Sequence, residues 1–195
     1  MGGVIGGMYA AGFTPKQIEQ LVLTEEFQGL VSGELTEQQK YFFTQADDNA
    51  SMLSVYLSVD SSFHANFNTN LISDIPMNFA MAEQLAKQTA VANYDFDSLF
   101  VPYRALGAEI FTQEEVVMAD GMLSDAMRAT LTVPMFYRPI KMDGQYVFDG
   151  GLYNNFPAGH AKDIWSPDVI IGVNVSAKNF QQYPAEKDDE LIKDL

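Results

Sequence analysis

The sequence predicts an α/β layered fold, and three observations carry that prediction. Residues 2–12 form a small-residue segment that reads as a buried helix, Thr14-Pro15-Lys16-Gln17 is a capping box with Pro at the first helical position, and residues 168–175 form an apolar run between polar ends. Such a run is expected of a parallel strand buried on both faces, and helices combined with such a strand imply layers of helix and sheet.

The elements follow in order. Four glycines among the first seven residues each cost a helix about 1 kcal/mol relative to Ala, so close packing or a ligand must justify them. Gly12 is placed to end this helix as a C-cap. Ile18, Leu21 and Val22 give the second helix its apolar face, and Thr36 with Gln39 repeats the capping-box spacing. Residues 52–59 alternate like a strand, whereas residues 63–74 are rich in Asn and Ser and read as irregular. Pro76 opens a helix through Ala86, and residues 100–110 and 116–118 read as strands around a turn at 112–115. Ser124 is expected to cap a short helix that runs through Ala129 and stops before Pro134, and Tyr146-Val147-Phe148 is a brief strand. The charged run from Glu186 to Glu190 marks residues 184–195 as an acidic tail or linker after a domain of residues 1–183.

Composition narrows the function. The chain has 195 residues, is 47% hydrophobic and carries a net charge of -15, which suits one globular domain and repels phosphate backbones. Nucleic acid is therefore not an expected partner. With no Cys, thiolate nucleophiles and Cys-ligated metals are excluded. No run reaches the roughly 18 apolar residues that mark a membrane-spanning helix.

The strongest chemical signal is Asp149-Gly150-Gly151, directly after the strand at 146–148 and followed by Asn154-Asn155-Phe156-Pro157. Alone, this tripeptide is a tight turn. Its neighbours change that reading. Ala129-Thr130-Leu131-Thr132-Val133-Pro134 precedes it, then Phe136-Tyr137-Arg138-Pro139-Ile140, and the run Val169-Ile170-Ile171-Gly172-Val173 follows. In order and spacing these resemble the C-terminal half of the patatin-like phospholipase domain. Phe96-Asp97-Ser98-Leu99-Phe100-Val101-Pro102-Tyr103 and Met1-Gly2-Gly3-Val4-Ile5-Gly6-Gly7 extend the resemblance.

The resemblance implies a mainly parallel central sheet flanked by helices, and a lipid acyl hydrolase that works by a Ser-Asp dyad. The family's Ser lies in Gly-x-Ser-x-Gly at the sharp turn into a small-residue helix. Met1, Gly2 and Gly3 then match the remnant of that nucleophile elbow, the Ser is expected just before Met1, and Asp149 is the base. The same resemblance implies that the family's N-terminal strands and Gly-rich oxyanion loop lie outside this sequence. A chain so cut is expected to be inactive by itself. The alternative is a non-catalytic lipid-binding or interaction remnant of the same fold.

The implied partner is a lipid or acyl-ester substrate, with membrane-surface contact through local apolar loops and no cofactor. Localisation stays open between cytoplasm and, where an upstream signal peptide was lost, the envelope or exterior. His64 and His160 would matter to a Ser-His-Asp triad, but His160 falls in a helix after Pro157 and His64 among Asn and Ser, where packing or loop roles are more usual. Paired acids such as Asp47-Asp48 read as solvated surface, so no metal is expected. The N-terminal glycines lack P-loop spacing. Met77, Phe79, Met81 and Phe100 either line an acyl channel or fill the core.

Overall fold

The computed structural model describes residues 2–33, 56–59, 65–68 and 72–174. The chain divides into two units, the first ending at Asn155 and the second starting at Phe156. The predicted capping box at Thr36 and the tail at 184–195 lie outside the described residues.

In the first unit the glycine-rich segment is helix α1 (Gly2–Ala10). It ends as predicted at Gly12, whose φ is 96°. The amide of Gly12 bonds to the carbonyl of Tyr9 and that of Phe13 to the carbonyl of Met8, so a left-handed residue satisfies the last carbonyls. Helix α2 (Pro15–Val22) opens on the full capping box, with Thr14 and Gln17 each bonding the other's backbone amide. Helix α3 (Glu25–Ser32) is capped by the Thr24 hydroxyl.

Two short strands, β1 (Tyr56–Val59) and β2 (Ala65–Asn68), pair antiparallel. The first lies within the predicted strand; the second occupies the segment expected to be irregular. Helix α4 (Ile75–Val91) runs beyond the predicted end at Ala86. Strands β3 (Ala105–Glu109) and β4 (Glu114–Met118) flank a turn. Helix α5 (Leu123–Ala129) sits at the centre, with Leu123, Ala126, Met127 and Ala129 all inaccessible. Ser124 lies inside α5, and the cap position falls on Met122, which makes no side-chain cap bond. Burial of Leu123 from its first residue holds α5 in place, so the cap prediction for Ser124 does not hold.

The main sheet has strand order β4-β3-β6-β5, where β5 is Ile140–Met142 and β6 is Gln145–Asp149. All its pairings are antiparallel, so the mainly parallel sheet is not what the described residues form. For the hairpins β3-β4 and β5-β6 the reason is connection length. Asp143 and Gly144 alone join β5 to β6, at φ of 49° and 87°, and a two-residue turn with both φ positive folds the chain straight back. Parallel neighbours need a crossover of a dozen or more residues.

The second unit contains helix α6 (Ala158–Trp165), followed by residues 166–174 with no assigned strand. The predicted buried strand at 168–175 is thus absent from its described part: Val169, Ile171 and Val173 are 75%, 88% and 79% exposed. A parallel strand owes its burial to ladders at its edges and helices over its faces. No described strand pairs with this segment.

Candidate active site

Asp149 ends β6, opposite Gly107 of β3. Its amide donates to the carbonyl oxygen of Thr132 at 3.0 Å. Its carboxylate Oδ1 accepts from the Gly151 amide at 2.9 Å, which caps the 3-10 turn Gly150–Leu152. The side chain is half-buried. Backbone and carboxylate are therefore both held, which suits a group that must meet a reacting proton at a fixed point.

The glycines of the motif serve close approach rather than positive φ, since neither is among the residues with that backbone. A Cβ on Gly150 would lie 2.7 Å from the backbone carbonyl carbon and oxygen of Leu106. On Gly151 it would lie 3.0 Å from Asn155 Oδ1 and 3.3 Å from Asp149 Oδ1. The first glycine lets the turn settle on β3, and the second leaves space where the Asn155 amide oxygen and the Asp149 carboxylate converge.

The N-terminal end of α1 belongs to the same neighbourhood. A Cβ on Gly3 would stand 2.5 Å from Thr130 Oγ1, and one on Gly7 2.5 Å from Met127 Sδ. The close packing that the glycines demanded is thus contact with α5 and the residue after it. Gly2 has nothing within 4 Å of a Cβ position, and Met1 lies outside the described residues. Tyr103 donates its hydroxyl to the Gly3 carbonyl at 2.8 Å. Burial pushes that hydroxyl well above its ordinary pKa, so it remains a donor.

Thr130 and Thr132 therefore join two parts of the sequence motif. Thr130 presses on Gly3, and two residues later Thr132 holds the amide of Asp149. Sequence reasoning brought these segments together only through the resemblance; the contacts put them around one turn.

Arg128 was missed. It is 2% exposed, and its Nη1 donates to Thr132 Oγ1 at 2.7 Å while its Nε donates to Asn78 Oδ1 at 2.8 Å. Asp74 Oδ2 is 3.5 Å from its Nη2. Its guanidinium carbon stands 4.6 Å from the centre of the Tyr137 ring, and Tyr137 donates its hydroxyl to the Val31 carbonyl of α3. Burial lowers the pKa of Arg128 and the nearby Asp74 carboxylate opposes that shift. The available signal was one cation amid small and apolar residues in Leu123-Ser124-Asp125-Ala126-Met127-Arg128-Ala129, because a buried charge requires partners.

Of the remaining candidates, His160 lies on α6 in the second unit and His64 lies outside the described residues. Among the described residues no three His, Asp or Glu side chains come together as a metal-binding group. Met77 and Met81 are core residues, whereas Phe79 and Phe100 are 61% and 74% exposed. The methionines resolve toward packing, and the two phenylalanines line no enclosed core.

Comparison with known proteins gives a family. Residues 1–162 match the model for patatin-like phospholipase. The chain is 29% identical over 85 residues to patatin-like phospholipase domain-containing protein 7 of Rattus norvegicus, covering 43% of this chain and 6% of that protein. It is 33% identical over 54 residues to an NTE family protein of Mycobacterium bovis, covering 28% of this chain and 9% of the other. A second protein of that family from the same organism is 26% identical over 80 residues, 41% of this chain and 22% of its own length. The aligned parts are a small share of each relative.

Proposed function

This chain belongs to the patatin-like phospholipase family, and from that premise we propose that it carries the base of a lipid acyl hydrolase. In this reading a Ser just before Met1 attacks an ester carbonyl, and the Asp149 carboxylate accepts the hydroxyl proton. The acyl group passes to the Ser oxygen as the C–O bond to the alcohol breaks, and the alcohol leaves with the proton. Water then releases the acid. The start of α1 supplies unpaired amides and the positive end of a helix beside the developing negative charge. Gly2 leaves the first residue of α1 open, and Gly3 lets the helix pack on Thr130.

The observation that carries the proposal is the bracket formed by Thr130 and Thr132. It ties Gly3 at the start of α1 to Asp149, residues far apart in sequence, through one buried turn. The proposed substrate is a glycerophospholipid or other acyl ester met at a membrane surface, with no nucleic acid partner. The bond from the Gly151 amide to Asp149 Oδ1 favours a second reading, in which Asp149 only caps a turn and the domain binds lipid without hydrolysing it.

Hydrolysis of a short-chain p-nitrophenyl ester and of a phospholipid separates the two. The proteins compared are this chain, a version extended upstream to include the family's Gly-x-Ser, and the extended version with Asp149→Asn. Turnover by the extended protein alone is the expected result. A folded extended protein that hydrolyses neither substrate would leave the lipid-binding reading.

A further inference from the structure

We propose that Arg128 is a positioning residue for Asp149, acting through Thr132. This rests on the reading of Asp149 as the base. Arg128 Nη1 donates to Thr132 Oγ1 at 2.7 Å, and the same Thr132 hydroxyl donates to the Arg128 carbonyl at 3.0 Å. Both functions of the hydroxyl are thereby engaged, and Thr132 is fully buried. Its main-chain carbonyl is then free to accept the amide of Asp149. The guanidinium is in turn oriented by Asn78 Oδ1 on α4 and by the carboxylate of Asp74, the residue before that helix, and lies over the Tyr137 ring.

The chain of contacts runs from α4 through Arg128 to Thr132 and ends at the backbone of Asp149, with no contact from Arg128 to a reacting atom. Arginine suits this place. Its planar fork serves several acceptors in fixed directions, which a lysine ammonium does not do. Since Thr130, two residues before Thr132, presses on Gly3, rotation of this turn would move Asp149 relative to the start of α1. Displacements near 1 Å cost roughly 100-fold in rate where reacting groups must align.

The test uses the extended protein and two perturbations. Thr132→Val removes the hydroxyl at nearly constant shape and leaves Arg128 with Asp74 and Asn78. Arg128→Met removes the guanidinium and is compared only where circular dichroism shows it folded. On a p-nitrophenyl ester, Thr132→Val is expected to lower kcat by about tenfold with KM within about twofold. If Arg128 acts through Thr132, the double variant loses no more than Arg128→Met, because the two changes break one linkage. Hydrogen exchange at the Asp149 amide should accelerate in Thr132→Val, while the Val147 amide stays protected.

An unchanged kcat in Thr132→Val, beside an inactive Asp149→Asn, would overturn the positioning role alone. Full activity in Asp149→Asn would overturn the dyad reading and the positioning role with it. Additive losses in the double variant would mean that Arg128 acts on the rate by another route, which also overturns the proposal.

Discussion

Gly150 and Gly7 are both tight, yet they fail differently on substitution. At Gly150 the added methyl meets the Leu106 main chain, which is fixed in the sheet; at Gly7 it meets the flexible thioether of Met127. Gly150→Ala is therefore expected to cost about 1–3 kcal/mol, as overpacking does. Gly7→Ala should be closer to neutral, since Met can repack and Ala regains up to about 1 kcal/mol of helix propensity. Urea midpoints of the two variants measure the contrast. The Asp97–Arg104 pair gives the pH dependence at this scale. Bonds of 2.8 and 2.7 Å from the Arg104 guanidinium lower the Asp97 carboxyl below its ordinary 3.8. A lowered acid contributes stability above that ordinary value and loses it as pH falls through the folded value. Asp97→Asn should thus have a lower urea midpoint than the parent at neutral pH, and the gap should close as acidification passes below the ordinary 3.8 and through the lowered folded value.

Helices α1 and α2 were legible because their signals are local. Gly12 in the left-handed conformation and the reciprocal bonds of Thr14 and Gln17 involve residues within a turn of each other. Thr14→Ala should consequently lower stability by about 1 kcal/mol, read as a shift in thermal or urea midpoint. The hairpin of β5 and β6 was equally local, for Asp143-Gly144 is its turn sequence, but the short apolar content of Ile140–Met142 gave no strand pattern of its own. Arg128 was illegible for the opposite reason. Its partners, Asn78 on α4 and Asp74 just before that helix, lie about half a hundred residues earlier, and sequence patterning reports which face is apolar rather than what a buried charge meets. Of the site, Asp149 was legible through its motif, whereas the Thr132 carbonyl that holds it is a backbone group with no sequence signature.

For the molecule as a whole, the described sheet is antiparallel, and the most apolar run, in the second unit, is not a strand. Residues 169–173 combine β-branched side chains with exposure of up to 88% at Ile171. Such a segment templates intermolecular strand pairing. Ile171→Lys in the 195-residue chain should reduce aggregation, seen as lower light scattering at equal protein concentration; unchanged scattering would place the sticky surface elsewhere. The net charge of -15 acts in the same direction by keeping molecules apart at low ionic strength.

If Asp149 activates a Ser at the start of α1, as proposed, covalent labelling of that Ser depends on the Asp149 carboxylate. The extended protein and its Asp149→Asn variant would be treated with a fluorophosphonate, and the modified peptide mapped by mass spectrometry. One labelled Ser is expected, immediately before Met1, with labelling at least about 100-fold slower in the variant. Equal labelling rates in the two proteins, or a label on any other residue, would contradict it.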